Sequence, residues 1–270
     1  MLAGCARIEI ESEFTGDGNA RHAITKVVDP GQFDDLMAWL EEEAETPDAA
    51  PDREEFNRNI ASGFNTVAGQ AAAAGLDVER IDEPNRIGVR VSTRAGEGED
   101  LGRILNGLYT AITEGDEDIR AFTGSFSVDE AGENGSTYRV DLTVVGDSLL
   151  SPGALLSRGQ DEDADDIFGD AFRDAIQDRL DEESADDELR ELFVLSYTVS
   201  MPGELTSSNG ADLGDGRVRF DLPFRGTQAF FAVSRTVDER FPLEVVVISI
   251  GALLVILIIV GAFLLLRKSR

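Results

Sequence analysis

Among its 270 residues the chain has one cysteine, one histidine, one tryptophan and two lysines. A lone cysteine excludes an intrachain disulfide, so a domain outside the cell has to stand on its own core. A lone histidine means that any Ser-His-Asp or Cys-His arrangement has to centre on His22, which falls on a predicted strand and reads as a partly exposed strand residue. A phosphate loop is missing too. Gly96-Glu97-Gly98 lacks the following Lys-Ser/Thr, and no G-x-G-x-x-G follows a strand. A hydrolase would need a buried, perturbed carboxylate pair, and no segment singles one out. No enzymatic activity and no cofactor are expected.

Positive charge is scarce as well. Fifty-three acidic residues against 24 basic ones give a formal charge of −29, which makes nucleic acid and anionic headgroups poor generic partners. With 42% hydrophobic residues and regular apolar segments, the chain does not read as a disordered acidic one. Abundant Asp and Glu with almost no lysine is the composition of a surface kept soluble in concentrated salt, where self-repulsion is screened. A halophilic, archaeal source is expected. The densest acidic cluster, Asp161-Glu162-Asp163 with Asp165-Asp166, lacks the spacing of a calcium loop and stands where Asp caps a helix. No metal site is expected there. Asp181-Glu182-Glu183 and Asp186-Asp187-Glu188 read as solvated faces.

Long apolar runs are absent until the end, where Val245 to Leu266 is broken only by Ser249. These 22 residues make about 33 Å of helix, enough for a hydrocarbon core of roughly 30 Å. Arg267, Lys268 and Arg270 follow, whereas Asp238, Glu239 and Glu244 outnumber Arg240 on the other flank. Basic flanks stay cytoplasmic. The expected topology is therefore single-pass in the cell membrane, with residues 6–240 extracytoplasmic, 245–266 spanning, and 267–270 a cytoplasmic stub. Such a domain needs an export signal. Leu2-Ala3-Gly4-Cys5 resembles a lipobox, in which a lipoprotein signal is cleaved before a cysteine that then receives lipid. Residues 1–5 are expected to be the remnant of such a signal and Cys5 the lipidation site.

Between these ends the pattern predicts α+β, a mostly antiparallel sheet with packed helices. Residues 6–14 and 20–28 alternate around Gly16-Asp17-Gly18-Asn19, a hairpin turn. Helices follow from Pro30 with Phe33, Leu36, Met37 and Leu40, and over 53–74 with Phe56, Ile60, Phe64 and Val67, capped by Gly75. Strands are predicted at 76–81 and 87–92, and a helix carries Leu101, Ile104, Leu105, Leu108 and Ile112. A hairpin covers 119–128 and 137–145. A long acidic helix over 163–184 has Phe168, Phe172, Ile176 and Leu180 four apart. A strand at 192–201 and a last hairpin of 218–222 with 227–234 complete the pattern.

One segment, from Val199-Ser200-Met201-Pro202-Gly203-Glu204 through Ser208-Asn209-Gly210 and Val218 to Phe220 to Phe230 to Ser234, resembles the C-terminal signature of the LppM family. The turn residues of the match are Pro202, Gly203, Asn209 and Gly210, and Phe220 stands where the family often has tryptophan. These residues shape turns and are not reactive groups. The likeness extends to the lipobox-like start and the C-terminal apolar run. It implies an extracytoplasmic lipoprotein domain that holds lipid or glycolipid between a curved sheet and its helices.

The functional expectation is an envelope protein whose outer domain binds an amphiphile, with membrane lipid, a lipid or glycolipid ligand and membrane-protein neighbours as partners and no nucleic acid. A pocket would be lined by Leu101, Leu105, Leu108, Phe168, Phe172 and Ile176. The alternative for all six is core packing. The alternative function is a cell-surface structural or protein-interaction module without a small-molecule ligand.

Overall fold

The computed structural model describes residues 6–32, 34, 38, 53–96, 98–113, 120–130, 135–149, 190 and 193–236. Cys5, the predicted acidic helix with Phe168, Phe172 and Ile176, and the run 245–266 lie outside the described residues. Among the described residues no helix is long and apolar enough to cross a membrane.

Among the described residues eleven strands and two helices carry the fold: β1 (Ala6–Phe14), β2 (Ala20–Val28), α1 (Arg53–Ala73), β3 (Asp77–Glu83), β4 (Arg86–Ala95), α2 (Leu101–Thr113), β5 (Phe122–Glu130), β6 (Ser136–Val145), β7 (Phe193–Ser200), β8 (Glu204–Ser208), β9 (Ala211–Gly214), β10 (Arg217–Asp221) and β11 (Thr227–Arg235). A 3-10 turn at Pro30–Gln32 follows β2. The strands form a seven-stranded sheet in the order β3-β4-β2-β1-β7-β10-β9 and a four-stranded sheet in the order β5-β6-β11-β8. Pairing is antiparallel except between β1 and β7, where Ala6 opposes Phe193 and Glu13 opposes Ser200. The expected α+β class and its antiparallel bias hold.

Period-two alternation explains how the large sheet is coated. Ile8, Ile10, Ser12 and Phe14 of β1 point to the inner face, alongside Leu195, Tyr197 and Val199 of β7 and Val89 and Val91 of β4. That face carries the core. Part of it is covered by α1 and α2, and the rest by Phe126, Tyr138, Val140, Leu142 and Phe230 of the small sheet. On the opposite face Glu11 and Arg90 form an ion pair of 2.5 Å across β2, and Arg90 also donates to Thr25. Small residues on β2, Ala23 and Thr25, make room for that arch.

Both helices have sequence-encoded ends and faces. In α1, Phe64, Val67 and Ala71 recur at helical spacing and are buried. Its end is set by Gly75 at φ +81°, where the left-handed conformation favours glycine. In α2 the apolar stripe Leu101, Ile104, Leu105, Leu108 and Ile112 is buried. Asp100 caps it, its carboxylate accepting from the Arg103 amide at 2.9 Å.

Two sequence expectations need correction. The segment 218–222 and 227–234 does not form a hairpin, because β10 pairs with β7 while β11 pairs with β6 in the other sheet. The Asn-Gly pair, which favours a tight hairpin, does not close one at Asn209-Gly210. It carries the chain from β8 in the small sheet to β9 in the large one.

Candidate functional site

Two places combine polar chemistry with a specific backbone. The first is the corner where the chain passes between sheets. Gly203 has φ +81°, and a Cβ there would collide with the carbonyl of Arg235. The Ser234 hydroxyl donates to the Pro202 carbonyl at 2.7 Å, and the Met201 amide donates to the Gly216 carbonyl at 3.0 Å. At the next turn the Asn209 side chain behaves as a short extra strand. Its amide donates to Ala229 O at 2.9 Å and its carbonyl accepts from Phe231 N at 2.9 Å. A Cβ on Gly210 would meet the Phe220 ring at 2.5 Å. Phe220 is buried between Tyr197, at 6.1 Å, and Phe230, at 5.1 Å between ring centroids. Pro202-Gly203 and Asn209-Gly210 therefore stand at the two ends of β8, each where the chain crosses between the two sheets.

The second place is a cleft behind the first hairpin. Apolar residues Phe14, Ala20, Ala95, Leu101, Ile104 and Phe126 form its walls, with His22 and Glu99 as its polar groups. Its volume is about 10 Å³, room for a single water. His22 is 1% exposed, not the partly exposed residue expected. It lies on the inner face of β2 because Ser12 opposes it on β1. The Ser12 hydroxyl and His22 Nδ1 are 2.8 Å apart, and Phe14 meets the imidazole edge-on at 5.6 Å. Burial pushes the imidazole pKa down to about 4, although the nearby Glu99 carboxylate pulls the other way. His22 is thus neutral at neutral pH. Glu99 itself is held at the rim by the Gly96 amide at 3.2 Å and Arg103 at 3.1 Å. Deeper in, the fully buried Tyr197 hydroxyl lies beside Ser12 without a well-formed hydrogen bond, and burial raises its pKa.

Ser12 and His22 share the atoms of a nucleophile and base without the access. Ser12 is 1% exposed, and the cleft admits no substrate larger than water. The arrangement is a buried polar pair whose hydrogen bond offsets the cost of its burial.

Of the residues expected to line an amphiphile pocket, Leu101, Leu105 and Leu108 are enclosed in the core, packed toward β2, β4 and β5. Phe168, Phe172 and Ile176 lie outside the described residues, as does Cys5. Among the described residues no group of three or more metal-ligating side chains gathers.

Sequence reading missed Asn106 and Tyr109. Asn106 Nδ2 donates to Phe122 O at 2.7 Å and its Oδ1 accepts from Phe122 N at 3.0 Å, closing the start of the β5 edge. Tyr109 donates from inside the core to the Leu149 carbonyl. The available signal was a poor helix former in mid-helix, which has a reason to be there when its amide meets another backbone.

No protein-family model matches the chain, and no curated protein matches it. Among solved structures it is similar to the NMR structure of the folded domain of LppM from Mycobacterium tuberculosis. The identity is 11% and the TM-score 0.38, over 88% of this chain and 94% of that one. A likeness at that level bears on neither ligand nor mechanism.

Proposed function

We propose that the chain is a membrane-anchored envelope protein whose extracytoplasmic domain acts by binding at its surface. The observation that carries the surface reading is the closed interior beside α2. Leu101, Leu105 and Leu108 are enclosed, and the neighbouring cleft measures about 10 Å³, against the roughly 300 Å³ or more that a lipid-sized ligand fills. The alternative is a cell-surface structural module.

Anchoring is supported by the apolar run 245–266, which begins nine residues after β11 and its neighbour Thr236 end the described fold. Lipidation of Cys5 would add a second tether one residue before β1. Protease treatment of intact cells tests the topology. Digestion of the domain with retention of a membrane-bound fragment containing 245–270 is the expected result. A chain released by alkaline carbonate, or protected in intact cells, would overturn it.

A further inference from the structure

We propose that the outer face of the four-stranded sheet is the contact between two copies of this chain. It deepens the binding half of the proposed function and is tested by association alone, so its failure leaves the anchoring result untouched.

Register assigns the face. Thr123, Ser125 and Ser127 of β5, Thr143 and Val145 of β6, and Thr227, Ala229, Phe231 and Val233 of β11 point away from the core. Thr123, Ser125, Ser127, Thr227 and Ala229 are exposed, and Phe231 and Val233 half-buried, so no described element covers the face. Its central charges cancel within the chain, because Arg139 grips Asp141 through two bonds of 2.5 and 2.7 Å. Asp129, Glu204 and Arg235 fall together in one end row, beside the Pro202–Gly203 corner. The outer face of the large sheet is built differently, with Glu9, Glu11, Glu79, Arg90, Arg219 and Asp221 in its central rows.

Each copy carries a formal −29, so two copies repel unless they meet where neither presents uncompensated charge. This face comes near that condition, with its centre neutral and a single excess carboxylate confined to the end row of Asp129, Glu204 and Arg235. Its hydroxyls both donate and accept, so the face can satisfy an identical one across a two-fold axis. Phe231, at the middle of β11, supplies an aromatic anchor. A bilayer is the poorer occupant, because the described face carries a single half-buried aromatic and no basic cluster.

The area suffices. Three strands of nine or ten residues extend about 30 Å and the five-residue β8 about 17 Å, which at about 4.8 Å per strand gives about 510 Å² per copy and about 1,000 Å² in all. A specific interface needs about 1,000 Å². Copies confined to one membrane would also meet at raised effective concentration.

Sedimentation velocity on the full chain in mild detergent and concentrated KCl is the test. The native chain is expected to be dimeric. Ala229→Arg and Phe231→Asp should each weaken association about tenfold or more, while Leu213→Arg, exposed on β9 of the other sheet, leaves it unchanged. Circular dichroism verifies that each variant is folded, and the exposed position of Ala229 keeps the test open if Phe231→Asp is not. Association should weaken as salt is lowered, because repulsion is then less screened. A monomeric native chain, or a dimer indifferent to both substitutions, overturns the proposal. So does a monomer whose vesicle binding is lost in Ala229→Arg, which would give the face to the bilayer.

Discussion

Acid should unfold this domain through its single histidine more steeply than a solvated histidine would allow. The ordinary imidazole pKa is 6.5, and burial lowers that of His22 to about 4. Above pH 6.5 both folded and unfolded chains carry it neutral, and it adds no pH dependence. Between 6.5 and 4 the unfolded chain takes up a proton that the folded chain refuses, so stability falls as pH falls. The slope approaches about 1.4 kcal/mol per pH unit, and the full loss is about 3 kcal/mol. Carboxylates also titrate in this range, so the comparison must cancel them. His22→Gln removes the titration and costs a pH-independent amount through the Ser12 contact and packing. Denaturant unfolding of both proteins from pH 7 to pH 4 then gives a double difference of about 3 kcal/mol. Because the chain has no other histidine, its imidazole proton resonance reads the pKa directly by NMR. Parallel stability curves for the two proteins, or a measured pKa near 6.5, would refute the buried, neutral His22.

Glycine substitutions should separate close approach from mere flexibility. Gly210→Ala drives a methyl into the Phe220 ring and should cost about 1–3 kcal/mol in thermal or denaturant unfolding. Gly107→Ala, exposed in α2 with nothing within 4 Å of a new Cβ, should instead stabilise by about 1 kcal/mol. Leu105→Ala tests whether α2 faces core or ligand space. Full burial at 0% exposure predicts a loss of about 2–5 kcal/mol, and a loss well under 1 kcal/mol would indicate a side chain lining an open pocket.

Local pattern was legible and long-range pairing was not. The hairpins β1–β2, β3–β4 and β5–β6 follow from alternation around Gly- and Asn-bearing turns, and each pairs with its sequence neighbour. Strands β8 and β9 escaped notice because they are short and largely exposed, with no apolar alternation to mark them. Their partners are β11 and β10, which no local signal names. The same blindness made β10 and β11 look like a hairpin. At the cleft, Arg21, His22 and Lys26 give β2 the look of a wet strand. Yet β2 lies between β1 and β4, and His22 and Lys26 are both enclosed on its inner face. Burial there is a property of the sheet order, which depends on β7, far away in sequence, pairing with β1. The turn residues Pro202, Gly203, Asn209 and Gly210 were legible as turns, whereas their joint role as the hinge between sheets required the fold.

The proposed function is that of a domain held at the membrane that binds at its surface. Native mass spectrometry of the full chain, extracted from its own membrane in mild detergent, tests this most directly. The expected mass, per chain, is that of residues from Cys5 onward plus a lipid modification confined to Cys5, with no further lipid retained after gentle activation. One amphiphile retained per chain, surviving activation and lost on Leu105→Trp, would contradict it.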